Sequence, residues 1–565
     1  MTEAQPLDTP PPTPQTGPEE TLDAGILRSS SVMAVGTVVS RVTGVVRTTA
    51  LAAALGTGIL ADAYTTANIL PNIIYIMLLG GALNAVFIPQ LVRHMKDDAD
   101  EGVSYANRLL TLCALVLLAV TIVAMLLAPW ISHLYAPDYT GRSLQVLTEF
   151  AYLCLPQIFF YGMYTLYSQV LNARGRFAAP MFAPVANNLV VIAGCVIFIA
   201  VVKDPNILTI SDHAILLLGA VTTAGIIVQA AVLTPVLART GFHFRPRFDL
   251  RGQGLGTAVR LARWTIFFVV MNQLGFLVIM RWATSANYTS TTSGIPGGGS
   301  FVYNNAYLMF ILPHSIVTVS VVTALMPRMS RAAHAGNMTA LRRDISRGMR
   351  LVSAAIVPSS IVLLLLGPQL ALLLLGYGNT TADGARLIGT VLQAFAVGAV
   401  GFSLYYVLLR GFYALEDTKT PALVSIGLNA LNLAVSYALY RRLPQDKAVV
   451  GLALGYSIAF SVVMIVFWIL LRPRTGGLDT FVTVRTLVRL LLAGAVAGVV
   501  GWAVQDGIGR WLGQGKPASL IAVAVVVPSV FMLFALVARR LRVAEVRDVL
   551  EMIGSKLRLR PRGAA

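Results

Sequence analysis

The stretch Val39-Ser40-Arg41-Val42-Thr43-Gly44-Val45-Val46-Arg47-Thr48 places two arginines inside an apolar run from 32 to 55. A run of about 20 mostly apolar residues is long enough for a helix to cross the hydrocarbon of a bilayer. Arg41 stands near the middle of that run, and Arg47 follows nearly two helical turns later, so neither guanidinium reaches water easily by snorkelling. A charge at that depth costs about 3 kcal/mol or more, which makes it a functional candidate. The bland reading is a structural pairing with a carboxylate or with carbonyls. The functional reading is an anion site in a water-filled cavity, because the planar guanidinium fork donates two parallel hydrogen bonds to a phosphate.

Outward from this run, the same ruler finds thirteen more, near 63–92, 106–132, 146–172, 179–202, 214–238, 259–283, 301–327, 350–376, 387–414, 420–441, 448–471, 484–505 and 517–538. The expected fold class is therefore an all-α integral membrane protein of about fourteen transmembrane helices. Composition agrees: of 565 residues, 56% are hydrophobic and 12% charged, against roughly 25% charged in a soluble domain. The mean hydropathy is +0.74. The net charge of +18 would suggest nucleic acid in a soluble protein, but here the basic residues fall in short loops, so no nucleic-acid partner is expected.

Those loops set the expected orientation. Arg93 and Lys96, Arg174 and Arg176, Arg239 to Arg251, Arg328 to Arg350, Lys419, and Arg472 with Arg474 occupy one alternating set, joined by Arg539 to Arg562 after the last run. The segment 284–300 on the other side has no basic residue. The positive-inside rule then places both termini in the cytoplasm. Arg441, Arg442 and Lys447 run against the rule locally.

The chain also repeats itself. Tyr164…Asn172-Ala-Arg-Gly-Arg-Phe-Ala-Ala-Pro180…Asn188 matches Tyr405…Tyr413-Ala-Leu-Glu-Asp-Thr-Lys-Thr-Pro421…Asn429, and Phe87-Ile-Pro89 through Arg93 matches Leu325-Met-Pro327 through Arg331. Both offsets are about 240 residues, which reads as a duplicated bundle of six helices, both copies pointing the same way. The expected organisation is a polar, Pro-rich disordered tail (1–27), a first lobe (28–240), a second lobe (241–475), two extra C-terminal helices (476–541) and a basic tail (542–565). The substrate path is expected between the lobes.

Other polar groups stand in the apolar runs. Asp62 opens the second, where it reads either as a helix cap or as a gating or ion-coupling group. Asn68 and Asn72 flank Pro71, whose missing N–H frees a carbonyl and kinks the helix, as in a cavity wall. Arg281 ends the seventh run beside Trp282, as an interfacial anchor or as part of the cavity. His314 reads as a packing residue, since no second metal ligand lies at useful spacing. Cys113, Cys154 and Cys195 are spaced for neither metal nor disulfide, and no metal or other cofactor is expected. The chain holds no G-x-x-x-x-G-K-[ST], H-E-x-x-H or G-x-S-x-G, so transport is expected and enzymatic catalysis is not.

Ser40-Arg-Val-Thr-Gly-Val-Val-Arg47, Asp62-Ala-Tyr64, Leu70-Pro-Asn72 and Gly80-Gly-Ala-Leu-Asn-Ala-Val-Phe-Ile-Pro-Gln-Leu91 together resemble the MurJ (MviN) family of lipid II flippases, within the multidrug/oligosaccharidyl-lipid/polysaccharide exporter superfamily. The resemblance runs from about residue 30 to 540 and leans toward Gram-positive, actinobacterial members. It implies a bacterial cytoplasmic membrane and lipid II as substrate, moved by alternating access from the cytoplasmic to the outer leaflet. It also implies membrane lipids and cell-wall synthesis or division proteins as partners. By position it makes Arg41 and Arg47 the ligands of the lipid pyrophosphate, gives Asp62 and Asn72 roles in the same lobe, and makes the last two helices a groove for the undecaprenyl tail. The family often has Asp after the second arginine, where Thr48 stands, and Arg where Tyr75 stands. Its acidic–arginine pair in the eighth helix is replaced by Asn304, Asn305 and Tyr307. Arg281 is then the expected second-lobe cation. The alternatives are a flippase for another polyprenyl-linked glycan and a multidrug/cation antiporter of the same superfamily, the latter disfavoured by the scarcity of mid-span carboxylates.

Overall fold

The computed structural model describes residues 18–80, 100, 102–249, 255–294 and 297–546. Several features read from the sequence lie outside the described residues: residues 1–17 of the N-terminal tail, the first copy of the Pro89 repeat with Arg93 and Lys96, most of the Gly80–Leu91 motif, Arg251, and the tail from Arg547 onward. Among the described residues, twelve helices are long and apolar enough to cross a bilayer, and a bent pair raises the count to thirteen. The remaining run, 63–92, is represented by Ile59–Tyr75 and the π-helical turn Ile76–Gly80, beyond which description stops.

The first lobe contains α1 (Pro18–Leu55), α2 (Ile59–Tyr75), α3 (Val103–Leu126), α4 (Ala128–Tyr135), α5 (Gly141–Cys154), α6 (Gln157–Ala173), α7 (Ala178–Val201), α8 (Asp212–Ala231) and α9 (Leu233–Ala238). The second contains α10 (Leu255–Thr292), α11 (Ser300–His334), α12 (Met338–Leu375), α13 (Ala382–Val397), α14 (Ala399–Ala414), α15 (Lys419–Arg442) and α16 (Ala448–Leu471). The described part of α1 reaches back to Pro18, inside the segment expected as a tail. The tenth run is a broken span: α13 and α14 meet at 50° across Gly398.

The two lobes pack alike. In the first, α1 lies on α7, α7 on α8, and α2 on α5 and α6. In the second, α10 lies on α15, α15 on α16, and α11 on α13 and α14. The repeat-related asparagines show why. Asn188 approaches Gly44 of α1 and donates to Ser40 O at 3.2 Å and Thr43 Oγ1 at 3.0 Å. Asn429 seats against Gly275 of α10, where a Cβ would collide with its amide. In each lobe the repeat asparagine thus faces a glycine of the first helix with its amide matched, Asn188 to α1 itself and Asn429 to Ser425 O of its own helix.

The last helices, α17 (Thr480–Leu512) and α18 (Lys516–Arg540), pack on each other and on α12. Gly494 and Gly501 let α17 approach Val357, Ile361 and Leu365 of α12, the small-residue contact by which helices associate in lipid. Phe481, Val499, Trp502, Leu520 and Met532 remain exposed on the far side. The segment read as a free basic tail from 542 begins packed: Val543 and Val546 are buried, and Glu545 pairs with Arg350 at the start of the ninth span. Apolar spacing and one ion pair hold it against the bundle. At the same end, burial pushes the Asp417 carboxyl upward, but hydrogen bonds from Thr420 and Arg474 outweigh it and hold Asp417 below the usual range.

Candidate functional site

Helix ends, capped across the two lobes, join them at the end the charge pattern assigns to the outside. The last carbonyls of α1 lack further helical partners once Gly56 N–H has bonded Ala52 O at 2.9 Å. The 376–381 loop supplies donors: Asn379 N–H to Ala53 O at 2.9 Å, Asn379 Nδ2 to Ala54 O at 3.0 Å and Thr380 Oγ1 to Ala52 O at 2.6 Å. Thr49 Oγ1 returns the favour to Leu374 O, at the end of α12, at 2.7 Å. Gly378, at φ +57, brings this loop against Ala53, where a side chain would collide with backbone.

Asp62 works in the same way. It is fully buried, but it does not cap its own helix, whose N-cap Gly58 makes no side-chain bond. Its Oδ1 accepts from the N–H of Phe301 at 2.7 Å and its Oδ2 from Asn287 Nδ2 at 2.7 Å. It therefore caps α11 of the opposite lobe, and Gly299 leaves room for the carboxylate. Thr66 extends the seam to Ser300 at 3.1 Å.

Below this seam lie two cavities, one on each face of α11. Arg41 and Arg47 line the smaller, ≈240 Å³, with Gly44, Thr48, Asn305, Leu308 and Leu374. Arg41 Nη1 donates to Ser315 Oγ across the lobes at 2.7 Å, whereas Arg47 keeps a buried Nε with no partner. Asn72 lines the larger, ≈520 Å³, with Asn272, Gln273, Asn304, Tyr307, Tyr406 and Asn432. Leu308 borders both, so the residues expected around one cavity are divided by α11. No carboxylate is among the lining residues of either cavity.

The structure thus brings Arg41 and Arg47 together, puts Asn72 in the neighbouring cavity and assigns Asp62 to the seam. Arg281 is half-buried and lines neither cavity; next to it, Trp282 packs on Tyr437 and Tyr440 of α15. The expected second-lobe cation is therefore not among the lining residues of either cavity. Tyr75, in the position of a family arginine, bonds Thr165 at 2.7 Å and stacks on Tyr161 inside the first lobe. His314 bonds Ser403 at 3.0 Å and packs on Phe402 and Tyr406, as a core residue does. Sequence reading passed over Arg410 in the tenth span. Its signal was an arginine four residues after a tyrosine in an apolar run.

Two six-helix lobes, sealed at one end and enclosing cationic and amide-lined cavities, define an alternating-access membrane transporter. The fold is that of a solved lipid II flippase MurJ in an inward closed conformation, with TM-score 0.70 at 17% identity over 92% of this chain and 99% of that one. A multidrug resistance transporter of the MATE family, in an inward-facing conformation, follows at TM-score 0.62 and 16% identity, covering 81% of this chain and 99% of that one. The model of the MurJ family, lipid II flippase, matches residues 51–536, and the chain belongs to that family. A probable lipid II flippase MurJ of Rhizobium meliloti is 26% identical over 86% of this chain and 88% of its own length. The lipid II flippase MurJ of Burkholderia cenocepacia is 25% identical over 86% of this chain and 91% of its own.

Proposed function

We propose that this protein translocates lipid II, the undecaprenyl-pyrophosphate-linked peptidoglycan precursor, from the cytoplasmic to the outer leaflet of a bacterial cytoplasmic membrane. The observation that carries the reading is the pair Arg41 and Arg47 beside a cavity between two lobes, with Arg47 Nε unpartnered. The pyrophosphate and sugar–peptide head cross inside while the tail stays in lipid, along the α17–α18 face, which avoids moving charge through hydrocarbon. No bond is made or broken, so the protein is a transporter and not a catalyst. Both termini lie in the cytoplasm, and the sealed end faces out. Asp62 holds the seam, Asn72 lines the path, and cell-wall synthesis or division proteins are natural neighbours.

The seam suits such a cycle. Most of its bonds use helix-end groups that water can satisfy when the lobes part, so opening exchanges partners and strands few donors or acceptors. A flippase for another polyprenyl-linked glycan shares this chemistry. A cation antiporter does not, because the cavities present arginines and amides where it needs carboxylates. Depletion of the protein tests the reading: lipid II is expected to accumulate on the cytoplasmic face, and an unchanged distribution with a different polyprenyl glycan trapped inside would select the alternative.

A further inference from the structure

We propose that Arg410 is the second lobe's ligand for the substrate's anionic group, a role that rests on the flippase reading and specifies it. Among the described residues lining the larger cavity, the polar groups of the second lobe are amides and hydroxyls, whereas the strongest hydrogen bonds to a pyrophosphate come from cations.

Arg410 lies near the end of α14, and its guanidinium sits 4.8 Å from the Tyr406 ring centroid and 5.5 Å from that of Tyr413. Nη2 donates to Tyr406 Oη, while Nε is buried with no partner. Among the described residues no carboxylate pairs with it. A half-buried cation held by aromatic faces and one phenol keeps most of its five donors for something else.

Its aim matters. Helical side chains lean toward the N-terminus, and Arg410 lies closer to Tyr406 than to Tyr413; Tyr406 lines the larger cavity, so Arg410 stands directly behind that lining and is not part of it. An interfacial anchor would extend the other way, past Ala414 to water. Depth also fits. Tyr406 packs on His314 at 5.1 Å, and the next residue, Ser315, takes the bond from Arg41. Neighbouring residues of α11 thus reach both cations, Ser315 by a direct bond from Arg41 and His314 through Tyr406, the partner of Arg410. The ligand this geometry suits is a phosphate or pyrophosphate ester, which the flat fork can grip through two donors.

Affinity of the purified full-length protein for undecaprenyl pyrophosphate, undecaprenol and inorganic pyrophosphate provides the test. The wild type should prefer undecaprenyl pyrophosphate to undecaprenol; absence of that preference would overturn the flippase reading itself. Arg410→Gln should reduce the preference about tenfold, with undecaprenol binding unchanged, and Arg410→Lys about threefold through loss of the fork. A wild-type preference in both variants, in a protein that shows one before substitution, would overturn the Arg410 assignment alone. Arg410→Lys carries the test if Arg410→Gln fails to fold. Inorganic pyrophosphate should compete with the lipid more weakly in Arg410→Gln than in the wild type, and competition unaffected by Arg410→Gln counts against the assignment.

Discussion

Asp62 of the first lobe accepts the backbone N–H of Phe301 of the second at 2.7 Å, so a carboxylate that opens one helix caps a different one. The bond makes the two lobes one closed unit at this end and costs little to break once water can enter. A charged cap is worth about 1 kcal/mol, up to about 2, which suits a contact that must form and open in every cycle.

Replacing Asp62 by Ala should shift the seam toward its open state. In a Thr66→Cys background, where position 66 is buried against Ser300, labelling by a membrane-impermeant maleimide from outside should rise about tenfold. Asp62→Asn should give a smaller rise, since its side-chain oxygen still accepts. Labelling no higher than in the parent would remove Asp62 from the gate.

Gly299 should tolerate no side chain while Asp62 is present. A Cβ there would fall on the Asp62 carboxylate and against Asn287. Gly299→Val is expected to abolish complementation of a depletion strain. Gly299→Ala should be partly rescued by Asp62→Ala, which removes one of the two clashes. Independent, additive losses would contradict the contact.

Arg41→Ala and Arg47→Ala should each abolish complementation at normal protein level, with Arg→Lys restoring part of it. Ser315→Ala should be much milder, because Arg41 loses one neutral partner worth about 1 kcal/mol. Full growth of both alanine strains would show that the cavity does not use these cations. Arg281→Gln, by contrast, is expected to be nearly silent in export.

Arg350 and Glu545 form an ion pair whose side chains are 16% and 14% exposed. Removing either alone should destabilise the docking of the C-terminal segment by about 3 kcal/mol, because the other charge is left buried. Replacing both by Met and Leu should recover most of that loss. Thermal unfolding in detergent of the two single variants and the double variant measures the coupling.

Cysteines near Gly336 and Arg474 should label only from the cytoplasm and those near Gly298 only from outside. Reaction of the Gly298 position from the cytoplasmic side alone would reverse the orientation read from the arginines.

Much was legible in the residues alone. Apolar run length dictates spanning helices because backbone groups in lipid must pair within their own segment. The Asn188 and Asn429 repeat revealed the doubled bundle, and Arg41 and Arg47 announced themselves because a mid-span charge is costly wherever it points. The tertiary structure alone decided the partners. Asp62 looks like a cap from sequence, but only the opposed lobe shows which helix it caps. Arg281 and Arg410 are equally basic in one dimension, and only the structure shows that Arg410 lies against Tyr406, a residue of the larger cavity, while Arg281 stands beside the Trp282–Tyr437 contact. The cost of burying a group is a property of its residue type and its run. The partner that offsets that cost comes from a helix elsewhere in the chain, at a distance no local pattern encodes.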